Sequence, residues 1–240
     1  MMNTTRRALS ILFPEKCSSC GASVAPEQFL CDSCREGAHF ILPPYCPCCG
    51  TSEVDCKCRK RGRAFELCVA PYYYEDSIRQ AVMNLKFGGR EDIAVPLGQA
   101  MSRTVGSRLY GVPFTHVTCV PSTRDKVAER GYNQAQSLGE QMVKGDCFYW
   151  LEQKPRTDWN MLVKKESEQM QHLLGADSRR RNIRDAYRLN RNRNIEDAVI
   201  LLVDDIVTTG ATASEIATIL KLNGAKEVYV VSAALTRYKN

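Results

Sequence analysis

The 240-residue chain, 44% apolar and 25% charged, holds enough material for one sizeable α/β domain plus a small appendage, at roughly 100–200 residues per domain. This balance excludes wholesale disorder and the fibrous classes. The formal net charge of +6 is modest, but Lys57, Arg59, Lys60, Arg61 and Arg63 form one basic group and Arg179, Arg180, Arg181, Arg184, Arg188, Arg191 and Arg193 another, so a polyanion partner competes with the ordinary alternative of solvated faces.

In chain order, Arg6 and Arg7 precede a short apolar run at 8–13. The run is too brief for a signal-peptide core, lacks a small-residue cleavage site and stops at Pro14. No later stretch reaches the roughly 18 uninterrupted apolar residues that a bilayer requires. A cytoplasmic protein without a membrane span is expected.

Nine of the 12 cysteines fall within 17–58, and in a reducing compartment such a cluster favours metal over disulfides. Cys17 with Cys20, Cys31 with Cys34, and Cys46 with Cys49 each form C-x-x-C, while Cys56 and Cys58 form a tighter C-x-C. A C-x-x-C turn aims two thiolates at one ion, and two such turns close a tetrahedral Zn²⁺ shell. The spacing therefore predicts one zinc site from Cys17, Cys20, Cys31 and Cys34, and a second from Cys46, Cys49, Cys56 and Cys58, with Cys48 and His39 as alternative ligands in the second. Gly21 and Gly50 directly follow two of the turns, as a tightly bent knuckle requires. Four thiolates leave no place for a reacting water, so the metal is structural. An iron–sulfur cluster is the alternative that uses the same donors. The segment has few large apolar residues and depends on metal to fold. Cys68, Cys119 and Cys147 stand apart and read as small buried apolar residues.

A boundary is expected near residue 64, dividing a zinc-ribbon module with its basic linker at 1–63 from an α/β domain at 64–240. After an alternating, aromatic run at 67–74, the pattern predicts helices over 77–87 and 93–103, a short buried strand over 117–120, and an amphipathic helix over 129–143, where apolar residues recur at helical spacing. Residues 145–168 carry Pro155, mixed charge, Trp150 and Trp159 without a clear period. Next come a branched apolar strand at 199–203, a Thr/Gly turn, a helix over 212–222 capped by Gly224, and a strand at 227–235. Strand, turn, helix and strand make a βαβ unit, hence a parallel sheet covered on both faces.

The richest segment is V-I-L-L-V-D-D-I-V-T-T-G-A-T at 199–212. A ligand in an open parallel sheet sits beyond the carboxyl ends of the strands, where this turn lies. Thr208, Thr209, Gly210, Ala211 and Thr212 bring backbone N–H groups, hydroxyls and a helix N-terminus together, the donors a phosphate needs. Asp204 and Asp205 are suited to accept hydrogen bonds from a neighbouring ribose diol. The plain alternative is a strand end followed by a capped helix. Neither a P-loop nor G-x-G-x-x-G is present, which disfavours nucleoside triphosphates and dinucleotides.

The whole string resembles the phosphoribosyl pyrophosphate motif of type I phosphoribosyltransferases. With the paired knuckles, N-L-K-F-G-G-R from Asn84, E-R-G-Y-N-Q-A from Glu129, and Gln171, Leu174, Arg179 and Asn182 in order, nearly the whole chain resembles the ComF family of competence-related proteins. The resemblance implies an α/β fold, a type I phosphoribosyltransferase-like parallel sheet flanked by helices, behind a small zinc-ribbon module. It further implies that Asp204 and Asp205 hold the ribose hydroxyls, that residues 208–212 hold the 5′-phosphate, and that the turn at 121–124 faces pyrophosphate, with Arg124, Lys126 and Arg130 on a mobile loop. Phosphoribosyl pyrophosphate with Mg²⁺, single-stranded DNA and the DNA-uptake machinery are the implied partners. A transferase with this site would stabilise the leaving pyrophosphate with Mg²⁺ and with those three cations. Purine salvage enzymes that use a general base place Asp where this chain has Thr208, so a purine acceptor is not expected. A nucleic-acid role would use the basic stretches to track phosphates, with Tyr72, Tyr73, Tyr74 or Tyr187 for stacking, unless those tyrosines are core.

Overall fold

The computed structural model describes residues 15–58, 62–165 and 186–237. The basic residues at 59–61 and 179–184, and the motif residues Gln171, Leu174 and Asn182, lie outside them.

The N-terminal part holds the two-stranded antiparallel β1 (Glu15–Lys16) and β2 (Ser23–Val24), then α1 (Asp32–Glu36). The larger part is built on a parallel sheet. Its strands are β3 (Cys68–Val69), β4 (Tyr72–Tyr73), β5 (His116–Cys119), β6 (Arg156–Thr157), β9 (Val199–Val207) and β10 (Glu227–Leu235), in the order β3, β10, β9, β5, β6, with β4 also on β10. A separate antiparallel hairpin joins β7 (Leu162–Lys164) to β8 (Tyr187–Leu189).

Period-two alternation in the central strand sorts the core into two layers. Val199, Leu201 and Val203 pack with α2 (Asp76–Phe87), α3 (Ala94–Arg108) and α5 (Gln134–Lys144), whereas Ile200 and Leu202 pack with α6 (Ala211–Leu222) and the hairpin. Each helix presents one apolar stripe at helical spacing, such as Ile78, Ala81, Val82 and Leu85 on α2. The expected parallel sheet flanked by helices is therefore present, and Cys68, Cys119 and Cys147 are buried in its layers.

Three expectations change. The helix predicted over 129–143 is two: α4 (Arg124–Arg130) ends at Gly131 in the left-handed region, φ 84°, and α5 starts anew behind Asn133, whose side chain accepts a hydrogen bond from Ala135 N–H. The apolar period runs through this break, but a C-cap glycine and an N-cap asparagine override it. Arg124, Lys126 and Arg130 accordingly sit on a helix rather than a loop. The strand expected to stop at residue 203 continues to Val207, so both aspartates are strand residues.

The ribbon leans on the sheet. Ile41 N–H donates to Pro71 O, Tyr73 N–H to His39 O, and Arg108 donates to Gly50 O while lying over the Tyr45 ring. A Cβ at Gly50, φ 75°, would stand 1.7 Å from the Cys68 carbonyl oxygen. Gly50→Ala is expected to destabilise the chain by about 2–5 kcal/mol, from overpacking plus left-handed strain. Denaturant unfolding with an unchanged midpoint would show that the ribbon does not dock there.

Candidate functional site

Two thiol sets converge, Cys17, Cys20, Cys31 and Cys34, and Cys46, Cys49, Cys56 and Cys58, with all sulfurs of a set within 4.8 Å of one another. Cys20 and Cys31 sulfurs are 3.7 Å apart, Cys49 and Cys56 3.6 Å, Cys46 and Cys58 3.9 Å, and Cys56 and Cys58 3.5 Å. Sulfurs about 2.3 Å from a tetrahedral zinc stand about 3.8 Å from each other, so both sets have the edge lengths of a zinc shell. Knuckle geometry follows: Gly21 N–H donates to Cys17 O, Gly50 N–H to Cys46 O, and Cys48 N–H to Cys46 Sγ. Neither alternative ligand is among the four converging thiols of the second set: Cys48 lies beside it, its N–H on Cys46 Sγ and its thiol against Cys58, and His39 pairs with Asp76 at 2.9 Å.

Charge explains why these sets need a cation. Burial pushes the Cys17 thiol up, but hydrogen bonds from the backbone of Cys20, Cys31 and Ser19 outweigh it and bring the pKa down to about 6. Burial first, with neighbouring thiols adding to it, pushes Cys34 and Cys56 up to about 12. Crowded thiols cannot all ionise unaided, and a bound divalent cation deprotonates them.

The second site lies at the carboxyl ends of β5 and β9. A cleft of about 280 Å³ is lined by Asp204 and Asp205, by Lys86, Lys126, Arg130 and Lys164, and by the turn residues Val120, Pro121 and Ser122. Lys86 Nζ stands 2.7 Å from Asp205 Oδ2. The Asp204 carboxyl is raised well above the ordinary range, by burial first and then by the Asp205 charge, although the Asp205 N–H and Lys86 pull the other way. One carboxyl of the pair thus favours its proton while the other is ion-paired. Lys164 is lowered by burial and by the Lys126 charge, and Tyr187 is pushed up to about 12 by burial and by Asp204.

The predicted phosphate loop follows directly. Gly210 is left-handed, φ 77°, and α6 begins at Ala211, whose N–H donates to Thr209 Oγ1. Thr208, Thr209, Ala211 and Thr212 are exposed at this helix N-terminus, the kind of place where backbone donors meet an anion. The predicted residues do not share a single cavity. Lys126 and Arg130 line the cleft with the aspartates, Arg124 lines a neighbouring cavity of about 870 Å³, and Thr208 and Thr209 line a third of about 820 Å³ with Arg79, Thr236 and Arg237.

Two residues emerge that spacing alone does not single out. Lys86 of N-L-K-F-G-G-R reaches the acidic pair from α2. Asn133 of E-R-G-Y-N-Q-A donates to Val120 O and accepts from Ser122 Oγ, tying the turn after β5 to the start of α5. Their signal is their place inside motifs already notable. Tyr72 and Tyr73 are buried, which makes them core residues rather than stacking platforms, whereas the half-buried Tyr74 and the buried Tyr187 also line the cleft with the aspartates. Exposed aromatics lie elsewhere: Tyr110 is 64% and Tyr149 59% exposed, with ring centroids 5.8 Å apart.

Among the described residues no helix is long and apolar enough to cross a membrane. A family model described as a double zinc ribbon domain matches residues 8–70. The chain is 30% identical over 218 residues to the DNA utilization protein YhgH of Salmonella typhi, covering 89% of this chain and 87% of that one. It is 28% identical over 212 residues to Competence protein F of Haemophilus influenzae, covering 84% and 88%, and 26% identical over 197 residues to Competence protein ComFC of Bacillus subtilis, covering 78% and 75%. Among solved structures, a glutamine phosphoribosylpyrophosphate amidotransferase from B. subtilis aligns loosely, with TM-score 0.40 and 18% identity over 62% of this chain, which spans only 30% of that chain. Alignment of nearly the whole chain with the Salmonella relative, together with the ribbon match at its N-terminal end, establishes that this chain belongs to the ComF family, alongside proteins named for competence and DNA utilization.

Proposed function

We propose that this chain is a cytoplasmic protein that binds phosphoribosyl pyrophosphate in the cleft at the ends of β5 and β9 and acts in handling single-stranded DNA during natural transformation. One observation carries the ligand: an acidic pair shares a cleft with four cations beyond the adjacent parallel strands β5 and β9, and a threonine loop before a helix N-terminus follows directly on β9. In this reading Asp204 and Asp205 accept from the ribose diol, residues 208–212 donate to the 5′-phosphate, and Lys126 and Arg130 face the pyrophosphate. Arg124, on the adjoining cavity, attracts the same anion at longer range. Asp204 and Asp205 are also the carboxylates that line the cleft for a Mg²⁺ arriving with the ligand, and such an ion supplies charge neutralisation on the pyrophosphate. The relatives' names support the DNA role, as do the basic stretches.

Calorimetric titration with phosphoribosyl pyrophosphate and Mg²⁺ tests the pocket, and absence of heat overturns it. For DNA, affinity for a single-stranded oligonucleotide is expected to fall steeply with salt, by a logarithmic slope of about 0.7 per neutralised phosphate, and to drop on charge reversal at Arg179, Arg180 and Arg181. A flat salt response removes the DNA role. One observation favours a second reading, transfer of ribose 5-phosphate to an acceptor: four cations surround the cleft where a leaving pyrophosphate would sit. Pyrophosphate release over a panel of bases would select that reading.

A further inference from the structure

We propose that Lys86 is an exchange cation of the sugar-phosphate cleft: it neutralises Asp205 until a ribose diol takes that carboxylate, and its ammonium then pairs with the ligand's pyrophosphate. The proposal rests on the reading of the cleft given above and adds a residue to it. Lys86 and Asp205 keep only 20% and 16% of their side chains exposed, and their charged atoms stand 2.7 Å apart. A diol that accepts Asp205 as its partner must therefore displace an ammonium already in place. A half-buried ammonium without a counter-ion is costly, so the displaced group needs a new anion within reach of its own stem. The lining supplies the place: Lys86 shares the cleft with Pro121 and Ser122 of the turn after β5 and with Lys126 and Arg130.

The anchorage of Lys86 is as specific as its contact. Two residues before it on the last turn of α2, Asn84 donates to Ser18 O at 2.9 Å and to Ser19 O at 2.8 Å, the carbonyls inside the first zinc knuckle. Arg90 donates to Lys16 O just before that knuckle, and Tyr132 O–H donates to Leu85 O. One residue beyond Lys86, the 60% exposed Phe87 lies beneath the Arg130 guanidinium, 4.6 Å from ring centroid to carbon. The backbone around Lys86 is therefore pinned from the ribbon and from the linker before α5. The four-carbon stem is the part left to swing.

Exchange makes a split prediction that a structural role does not. In Lys86→Met, affinity for phosphoribosyl pyrophosphate with Mg²⁺ is expected to fall about tenfold to a hundredfold, the scale of one charge-assisted contact. Affinity for ribose 5-phosphate, which has no pyrophosphate to gain the cation and no longer competes with it for Asp205, is expected to stay level or rise. Lys86→Arg should retain most of the pyrophosphate-dependent affinity. Equal losses for both ligands, or none for either, overturn the exchange. Failure of the unmodified protein to bind phosphoribosyl pyrophosphate overturns the pocket itself and the proposal with it. If Lys86→Met does not fold, judged by its melting curve, Lys86→Gln carries the same comparison, and the Lys86→Arg split decides it independently.

Discussion

Replacing Asp204 and Asp205 together by asparagine is expected to abolish the calorimetric signal for phosphoribosyl pyrophosphate with Mg²⁺. Two charge-assisted hydrogen bonds at about 1.5–3 kcal/mol each amount to about a hundredfold to ten-thousandfold in affinity. Unchanged heats would remove the diol assignment. Protonation sharpens the test. Asp204 is raised well above the ordinary carboxylate range, chiefly by burial, so the folded chain keeps a proton there that the unfolded chain gives up. Stability is therefore lost as pH rises from the ordinary carboxylate range through the raised value. Asp204→Asn removes that loss, and its melting temperature near neutral pH is expected to equal or exceed that of the unmodified protein even as binding collapses. A group that weakens the fold yet strengthens binding marks a functional position. Binding that ionises Asp204 also releases a proton, so affinity should rise with pH across the same window. A pH-independent affinity would show that the carboxyl is not used in its charged form.

The features legible in the sequence are those whose chemistry is local. A C-x-x-C knuckle closes through bonds within its own turn, as Gly21 to Cys17 and Gly50 to Cys46 show, so spacing alone groups the thiols that the fold brings together. The strand, acidic pair and threonine turn at 199–212 are likewise contiguous. Lys86 is different, because its meaning comes from Asp205 on a strand far along the chain. Asn133 resembles any polar residue near a helix until its amide is seen on Val120. The tyrosines at 72–74 leave a stacking surface and a core strand both open on sequence alone, and contacts from elsewhere decide for two of them: Phe40 bridges to Tyr72 and β4 pairs with β10, so the ribbon and the sheet cover Tyr72 and Tyr73. Non-local burial decides both cases, and periodicity does not encode it.

Removing zinc is expected to unfold residues 15–58 and to lower the melting temperature of the whole chain. Structural zinc contributes apparent free energies of about 10–16 kcal/mol in small metal-dependent folds, as much as the whole stability, about 5–15 kcal/mol, of a typical domain. The ribbon cannot offset that loss from its own packing, because the second thiol set clusters only with other cysteines. Its buried apolar residues pack on the main domain instead: Leu30 and Ala38 belong to one core layer and Ile41 to the other. Arg237 lies over the Tyr73 ring, and Tyr73 O–H donates to Asp55 at 2.8 Å, so the end of β10 is also tied to the second knuckle. Stripping the metal would thus uncover β3 and β4 at the sheet edge and free an aggregation-prone strand. The expected results are two zinc ions per chain by elemental analysis and a chelator-dependent fall in melting temperature, with a similar fall for Cys20→Ser plus Cys31→Ser and for Cys49→Ser plus Cys56→Ser. A metal-stripped chain that melts like the loaded one would mean the ribbon is an independent appendage. An excess of loss in the first pair's variant on phosphoribosyl pyrophosphate affinity would instead trace to Asn84, which holds the first knuckle's carbonyls two residues from Lys86.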